Sequence, residues 1–82
     1  MTDITLTLRL FGAFREYGQA VAFTVPQGAT ASQVKAALGK AIPADPALIA
    51  DSALADDNAV LPDDATFAHD AELAVLPPVC GG

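Results

Sequence analysis

Residues 4–11, ITLTLRLF, alternate without a break, with Ile4, Leu6, Leu8 and Leu10 on one side and Thr5, Thr7 and Arg9 on the other. A period of two over this length is the mark of a strand with one face buried and one face in water. It excludes a chain that opens as a helical bundle. Phe11 continues the outward series at the end of the strand. A second strand follows, in which Val21, Phe23 and Val25 alternate with Ala20, Ala22 and Thr24, and Pro26 ends it for want of an N–H to give to a ladder. Between the two, GAFREYG is bounded by Gly12 and Gly18 and reads as a turn or short irregular loop. The chain therefore begins with a hairpin whose apolar face needs a cover.

The next segment supplies the cover. Thr30 with Gln33 three residues later is the spacing of a capping box, in which each side chain satisfies a free N–H at a helix start. Val34, Ala37, Leu38, Ala41 and Ile42 then follow helical spacing, so one stripe faces a core. Gly39 weakens the last turns and Pro43 stops them. Prolines and aspartates mark residues 43–58 as loops, with a helical turn expected around 47–50 and short strands near 52–55 and 59–61. Leu61-Pro62-Asp63-Asp64 reads as a turn, and so does His69–Ala71. The final strand is clear, with Leu73 and Val75 alternating with Ala74 and Leu76. Hairpin, helix, short strands and final strand, in that order, predict an α+β chain of β-grasp type, a mixed sheet with one main helix packed on one face. A ferredoxin-like fold would need a second helix that the sequence does not provide. Residues 1–76 are expected to form a single domain and residues 77–82 an extended tail.

Charge and composition narrow the function. Ten acidic against four basic residues give a net charge of −6, which repels nucleic acid and anionic membranes and steers the chain toward basic protein sites. Much of the 52% hydrophobic content is alanine, so the core must rest on a modest set of Leu, Ile, Val and Phe. A single cysteine forms no internal disulfide, and neither a leader nor a membrane-spanning run is legible, so the expected location is the cytoplasm. One histidine and one cysteine cannot close a metal site, no glycine-rich loop links a strand to a helix to hold phosphate, and no Ser–His–Asp set is available. Asp56–Asp57 and Asp63–Asp64 fall in polar turns and are expected to be solvated. An autonomous enzyme, a metal site and a bound cofactor are all unexpected.

Chemistry concentrates at the tail. Pro77 and Pro78 stop strand pairing and favour extended geometry. Six residues from Pro77 to Gly82 reach ~20 Å when extended. Gly81 and Gly82 have no Cβ, so they fit a channel too narrow for other residues, with the carboxyl of Gly82 as the group presented to a partner.

The ending Leu73-Ala74-Val75-Leu76-Pro77-Pro78-Val79-Cys80-Gly81-Gly82 resembles the small subunit of molybdopterin synthase, a ubiquitin-like sulfur carrier. Leu10-Phe11-Gly12-Ala13-Phe14-Arg15-Glu16 is similar to that family's first strand running into an Arg-Glu pair. The resemblance covers about the full chain, and Pro-Pro-Val-x-Gly-Gly is its most specific piece. Two places depart from it: Asp70-Ala71-Glu72 stands where the family has Asp-Gly before the last strand, and Asn58-Ala59 is the nearest equivalent of an Asn-Gly hairpin. The resemblance implies that a separate adenylating enzyme uses ATP to turn the Gly82 carboxylate into an acyl-adenylate. A donor persulfide then supplies sulfur for a thiocarboxylate. It further implies a heterotetramer with a large subunit, where that sulfur reaches a cyclic pyranopterin monophosphate. Carriers for thiamine, cysteine or tRNA thiolation, and ubiquitin-like modifiers that form isopeptide bonds, are the neighbouring possibilities.

Single residues carry two readings each. Cys80 is a small residue in the family's variable position, or a thiol that forms a mixed disulfide with the activating enzyme or captures the terminal acyl group. His69 reads as an exposed turn residue rather than a base. Phe11 and Leu76, outward by alternation and close to the tail, are expected in a partner interface. Arg15 contacts that partner or caps a local carbonyl.

Overall fold

The structure, a computed structural model, describes residues 2–77. The alternating segment is strand β1, Asp3–Leu10, with its four aliphatic side chains buried and Thr5 and Arg9 exposed. Strand β2, Ala20–Pro26, pairs with it antiparallel from Asp3↔Pro26 to Arg9↔Ala20. The connection is not irregular. Gly12–Tyr17 winds into a 3₁₀ helix and turns Phe14 wholly into the core. Gly12, at φ +58°, opens this turn in a conformation that glycine adopts without a Cβ penalty.

Strand β3, Ala29–Thr30, leads into helix α1, Ala31–Ala41. Thr30 Oγ1 accepts from the Gln33 N–H at 3.2 Å while Gln33 Oε1 accepts from the Thr30 N–H at 2.8 Å, so the capping box forms as its spacing predicts. Val34, Leu38 and Ile42 are buried and Ala37 is half-buried, but Ala41 is exposed. The expected stripe is narrower because the chain turns extended at Ile42, and that side chain, rather than Ala41, reaches the core. Asp45 caps a second helix, α2, Pro46–Asp51, by accepting from the Ala47 N–H at 2.9 Å, with Pro46 in the first turn where a missing N–H costs nothing.

Strands β4, Ala53–Ala55, and β5, Val60–Leu61, lie within one residue of their expected places. Strand β6, Thr66–Phe67, was not legible; it pairs with β3 outside the main sheet and buries Phe67. Strand β7, Ala71–Leu76, begins at the end of the expected turn and completes the described chain. The main sheet runs in the order β2-β1-β7-β4-β5. β7 is parallel to β1, from Leu6↔Ala71 to Leu10↔Val75, and antiparallel to β4. α1 covers one face, where Val34 and Leu38 join Leu6, Leu8, Leu10, Leu54, Leu73 and Val75 in one buried cluster. This is the β-grasp arrangement.

The turn before β7 forms without glycine because Asp70 takes over part of the ladder. Its carboxylate accepts from the Thr5 N–H at 2.8 Å, just ahead of the first backbone pair between β1 and β7. Asp70→Ala removes this acceptor and should cost about 1 kcal/mol, a fall in Tm of roughly 4–8 °C for a domain of this size. Asp70→Asn keeps an oxygen in place and should lose less. Thermal melts of both variants check this, and an unchanged Tm for Asp70→Ala would show that water replaces the bond without loss.

Candidate functional site

Opposite α1, the main sheet presents a face on which no helix packs among the described residues. Ladder register decides what lies there. Ala55 stands across from both Ala74 and Val60, and Ala53 across from Leu76. Alanine makes the β4–β7 half of the face shallow, while Thr7 paired with Glu72, and Arg9 beside Ala74, make the β1 side polar, and larger apolar side chains stand at the margins. Val60 is 60% and Phe11 36% exposed, while Leu76 is half-buried. Phe11 and Val60 are the large apolar side chains that stay exposed among the described residues.

Where β7 ends, Pro77 comes to rest on Gly12. A Cβ built on Gly12 would lie 2.6 Å from Pro77 Cγ, far inside van der Waals contact. Gly12 therefore serves twice, allowing the left-handed turn into the 3₁₀ helix and leaving room for the proline ring. The chain leaves the sheet beside Phe11, at the margin of the open face.

Charge gathers at the same end. A groove of about 450 Å³ is lined by Arg9, Phe11, Arg15, Gln19 and Glu72, among others. It holds two of the four basic residues of the chain. Among the described residues the one ion pair within 4.0 Å is Lys35–Asp63 at 3.2 Å, so neither arginine has a carboxylate partner. A smaller cleft of about 80 Å³ adjoins it, sharing Arg9, Phe11 and Glu72 and adding Asp56 and Asp57. Asp56 is occupied with the backbone: it accepts from the N–H groups of Asn58 at 2.8 Å and Ala59 at 2.9 Å, which hold its carboxyl below the ordinary carboxylate value. These bonds close the β4–β5 turn without an Asn-Gly pair. A separate groove of about 440 Å³ lies on the helical side, between α1, α2 and Asp63. Among the described residues no group of three or more His, Cys, Asp or Glu is placed to hold a metal ion, and no helix is long and apolar enough to cross a membrane.

Of the residues expected at the site, Phe11, Arg15 and Pro77 come together and Leu76 adjoins them on β7. Arg15 is exposed, and its carbonyl accepts from the Gly18 N–H at 3.1 Å, but its side chain caps nothing among the described residues. Pro78, Val79, Cys80, Gly81 and Gly82 lie outside the described residues. His69 is exposed, as its turn suggested. Sequence reasoning missed Val60, Gly12 and the pairing of Arg9 with Arg15 in one groove. The alternation of β1 already put Arg9 on the outward face, but a charge there is equally a solvated one.

A family model described as "ThiS family" matches residues 8–82. Among solved structures, Caldiarchaeum subterraneum ubiquitin aligns with a TM-score of 0.69 at 16% identity, covering 99% of this chain and 100% of that one. The solution structure of the Haloferax volcanii HVO 2177 protein aligns with a TM-score of 0.68 at 25% identity, covering 98% of this chain and 88% of that one. Both likenesses establish the ubiquitin-like β-grasp fold. No match was found among curated proteins.

The seat of Pro77 on Gly12 can be tested by coupling. Gly12→Ala should destabilise by about 1–3 kcal/mol, from the left-handed backbone and the clash together. Pro77→Ala deletes Cγ, and the remaining Cβ lies at an ordinary 3.8 Å, so the double variant should recover the steric part. Additive losses in denaturant melts would show that the ring does not rest there.

Proposed function

We propose that this chain, which belongs to the ThiS family, is the sulfur-carrying small subunit of a molybdopterin synthase. The observation that carries the reading is the Pro77-Pro78-Val79-Cys80-Gly81-Gly82 motif directly after a central strand that ends at the margin of the sheet face opposite α1, where Phe11 is exposed. The family match supports a carrier in general, and the Pro-Pro-Val spacing supports the molybdenum branch over those for thiamine, cysteine or tRNA thiolation. In this reading the chain supplies recognition and its partners supply catalysis. An adenylating enzyme attaches AMP to the Gly82 carboxylate, which gives a poor electrophile a good leaving group. Attack by a persulfide sulfur expels AMP and forms an acyl disulfide with the donor; a second thiol of the loading enzyme then attacks the donor sulfur, forms a disulfide with it and releases the thiocarboxylate. The large subunit then directs that sulfur, a soft nucleophile like a thiolate, to the cyclic pyranopterin monophosphate. Two carriers serve each product, one for each sulfur of the dithiolene.

The role of this chain's described residues is docking. Phe11, Val60 and Leu76 offer the apolar contact, and Pro77 on Gly12 sets the direction in which the tail starts. The net charge of −6 suits a basic rim around a pocket that binds a phosphorylated pterin.

Deleting Gly82 should leave thermal unfolding unchanged and abolish sulfur transfer. Intact mass after incubation with the adenylating enzyme, ATP and a persulfide donor should show one oxygen replaced by sulfur in the full chain only. A truncated chain that still yields molybdopterin would end the carrier reading, and lysine adducts in lysate would favour a protein modifier. Phe11→Asp and Val60→Asp should each weaken binding to the large subunit by about 2–4 kcal/mol, since an apolar anchor is lost and an unpaired charge is buried. Both side chains are exposed, so the isolated variants should melt as the parent does. Unchanged calorimetric affinity would move the interface elsewhere.

A further inference from the structure

We propose that the groove between Arg9 and Arg15 receives a carboxylate side chain of the partner enzyme, so that this acidic carrier is read through a local cationic spot. The proposal rests on the carrier reading and adds the partner chemistry at one end of its docking face.

Both guanidinium groups are exposed, both line the groove beside Phe11, and neither is paired among the described residues. Any protein that covers Phe11 also takes water away from Arg9 and Arg15. Covering a guanidinium without an opposite charge is strongly unfavourable, whereas a carboxylate meets its planar fork with two parallel N–H···O bonds. Glu72, in the same groove, can answer one of the two guanidinium groups, which leaves one positive charge for an aspartate or glutamate of the partner to meet. A phosphate fits less well. Glu72 lines the same groove and Asp56 and Asp57 the adjoining cleft, so a dianion would lie among carboxylates on a chain that already carries −6. A single carboxylate carries less charge into that field, and the basic remainder of a protein surface would offset it. One attractive contact of reversed sign within an otherwise acid-to-base interface also fixes orientation, because sliding or rotating the carrier sets like charges against each other.

The experiment uses the full chain with the adenylating enzyme and the synthase large subunit from the same cell. Sulfur loading of the parent chain comes first, by intact mass. Arg9→Ala, Arg15→Ala and the double Arg9→Glu/Arg15→Glu variant are then titrated into each enzyme by calorimetry at low and at high salt, with Phe11→Asp alongside. Each alanine variant should bind about ten-fold more weakly to at least one enzyme and the double reversal more than about a hundred-fold, with the deficits shrinking as salt rises. Arg15→Lys should restore part of the loss, since a point charge keeps the attraction without the fork. All variants should melt as the parent does. If the parent binds both enzymes, Phe11→Asp weakens that binding and the arginine variants bind like the parent, the proposal falls and the carrier reading stands. Inorganic phosphate that competes with the parent at constant ionic strength, and not with the arginine variants, would identify a phosphate site instead and also overturn the proposal. A parent chain that neither loads sulfur nor binds either enzyme overturns the carrier reading and the proposal with it.

Discussion

The parallel pairing of β1 with β7 is the constraint on which the rest of the molecule depends. It joins Leu6 to Ala71 and Leu10 to Val75, near opposite ends of the sequence. Loop-closure entropy opposes such a contact, and the hairpin and α1 that lie between the two strands offset it through the core they share with β7. Once in place, β7 has a neighbour on either side, β1 and β4, and its inward residues Leu73 and Val75 close the core under α1. A central strand has its backbone groups satisfied along both edges, which makes it the stiffest part of a sheet. The end of that strand is where the tail motif begins, so the position of Pro77 is inherited from the best-held element of the fold.

The open face shows the cost of this arrangement in side chains. Alanine is a poor strand former, yet Ala53, Ala55 and Ala74 lie on the β4–β7 half of the face, and Ala20 and Ala22 lie outward on β2. The strands are therefore held by burial on the helical side and by their ladders. Larger apolar residues across the outer face would strengthen the sheet locally but would expose a broad sticky surface on a free domain. Small residues on two of its sides, with Phe11 and Val60 standing out at the margins, keep that surface modest, and under the proposed reading those two side chains are a partner's anchors.

What the sequence showed and what it hid divide along physical lines. β1, β2, α1 and β7 were legible because each repeats a periodic pattern long enough to rise above chance, and the Thr30–Gln33 cap is a local motif that needs no tertiary context. The 3₁₀ helix buries a single side chain, Phe14, and one residue has no period. β6 is two residues long and exists through its pairing with Ala29–Thr30, a contact no local pattern encodes. The outward direction of Val60 depends on how Asp56 closes the β4–β5 turn, and the sequence offers the adjacent Asp57 as an equal candidate. At the site, alternation found Phe11 and Leu76, and turn chemistry explained Asp56. The joint groove of Arg9 and Arg15 could not be read, because it is the 3₁₀ winding that carries Arg15 back beside β1. Gly12 was visible as a turn residue, but its role as the seat of Pro77 joins positions 65 residues apart.

Under the proposed reading, these features also bear on how tightly such a carrier should be held. A carrier must leave the enzyme that loads it in order to reach the enzyme that uses the load, so an interface of the kind found in permanent complexes would stop the cycle. A face with alanine over its β4–β7 half suits this requirement. It buries little apolar volume per unit area, and the energy falls on a few marginal anchors and on charge. Charged contacts at a rim speed encounter more than they slow release, and they select a partner by repelling the wrong orientation. A chain of net charge −6 that keeps two arginines without an ion-pair partner among the described residues, beside the strand end where the tail begins, has arranged that selection in the simplest available way. Under that proposal most of its surface favours a basic partner and one end favours an acidic side chain. Only an enzyme that presents both signs in the matching places brings its own pocket to where the tail begins.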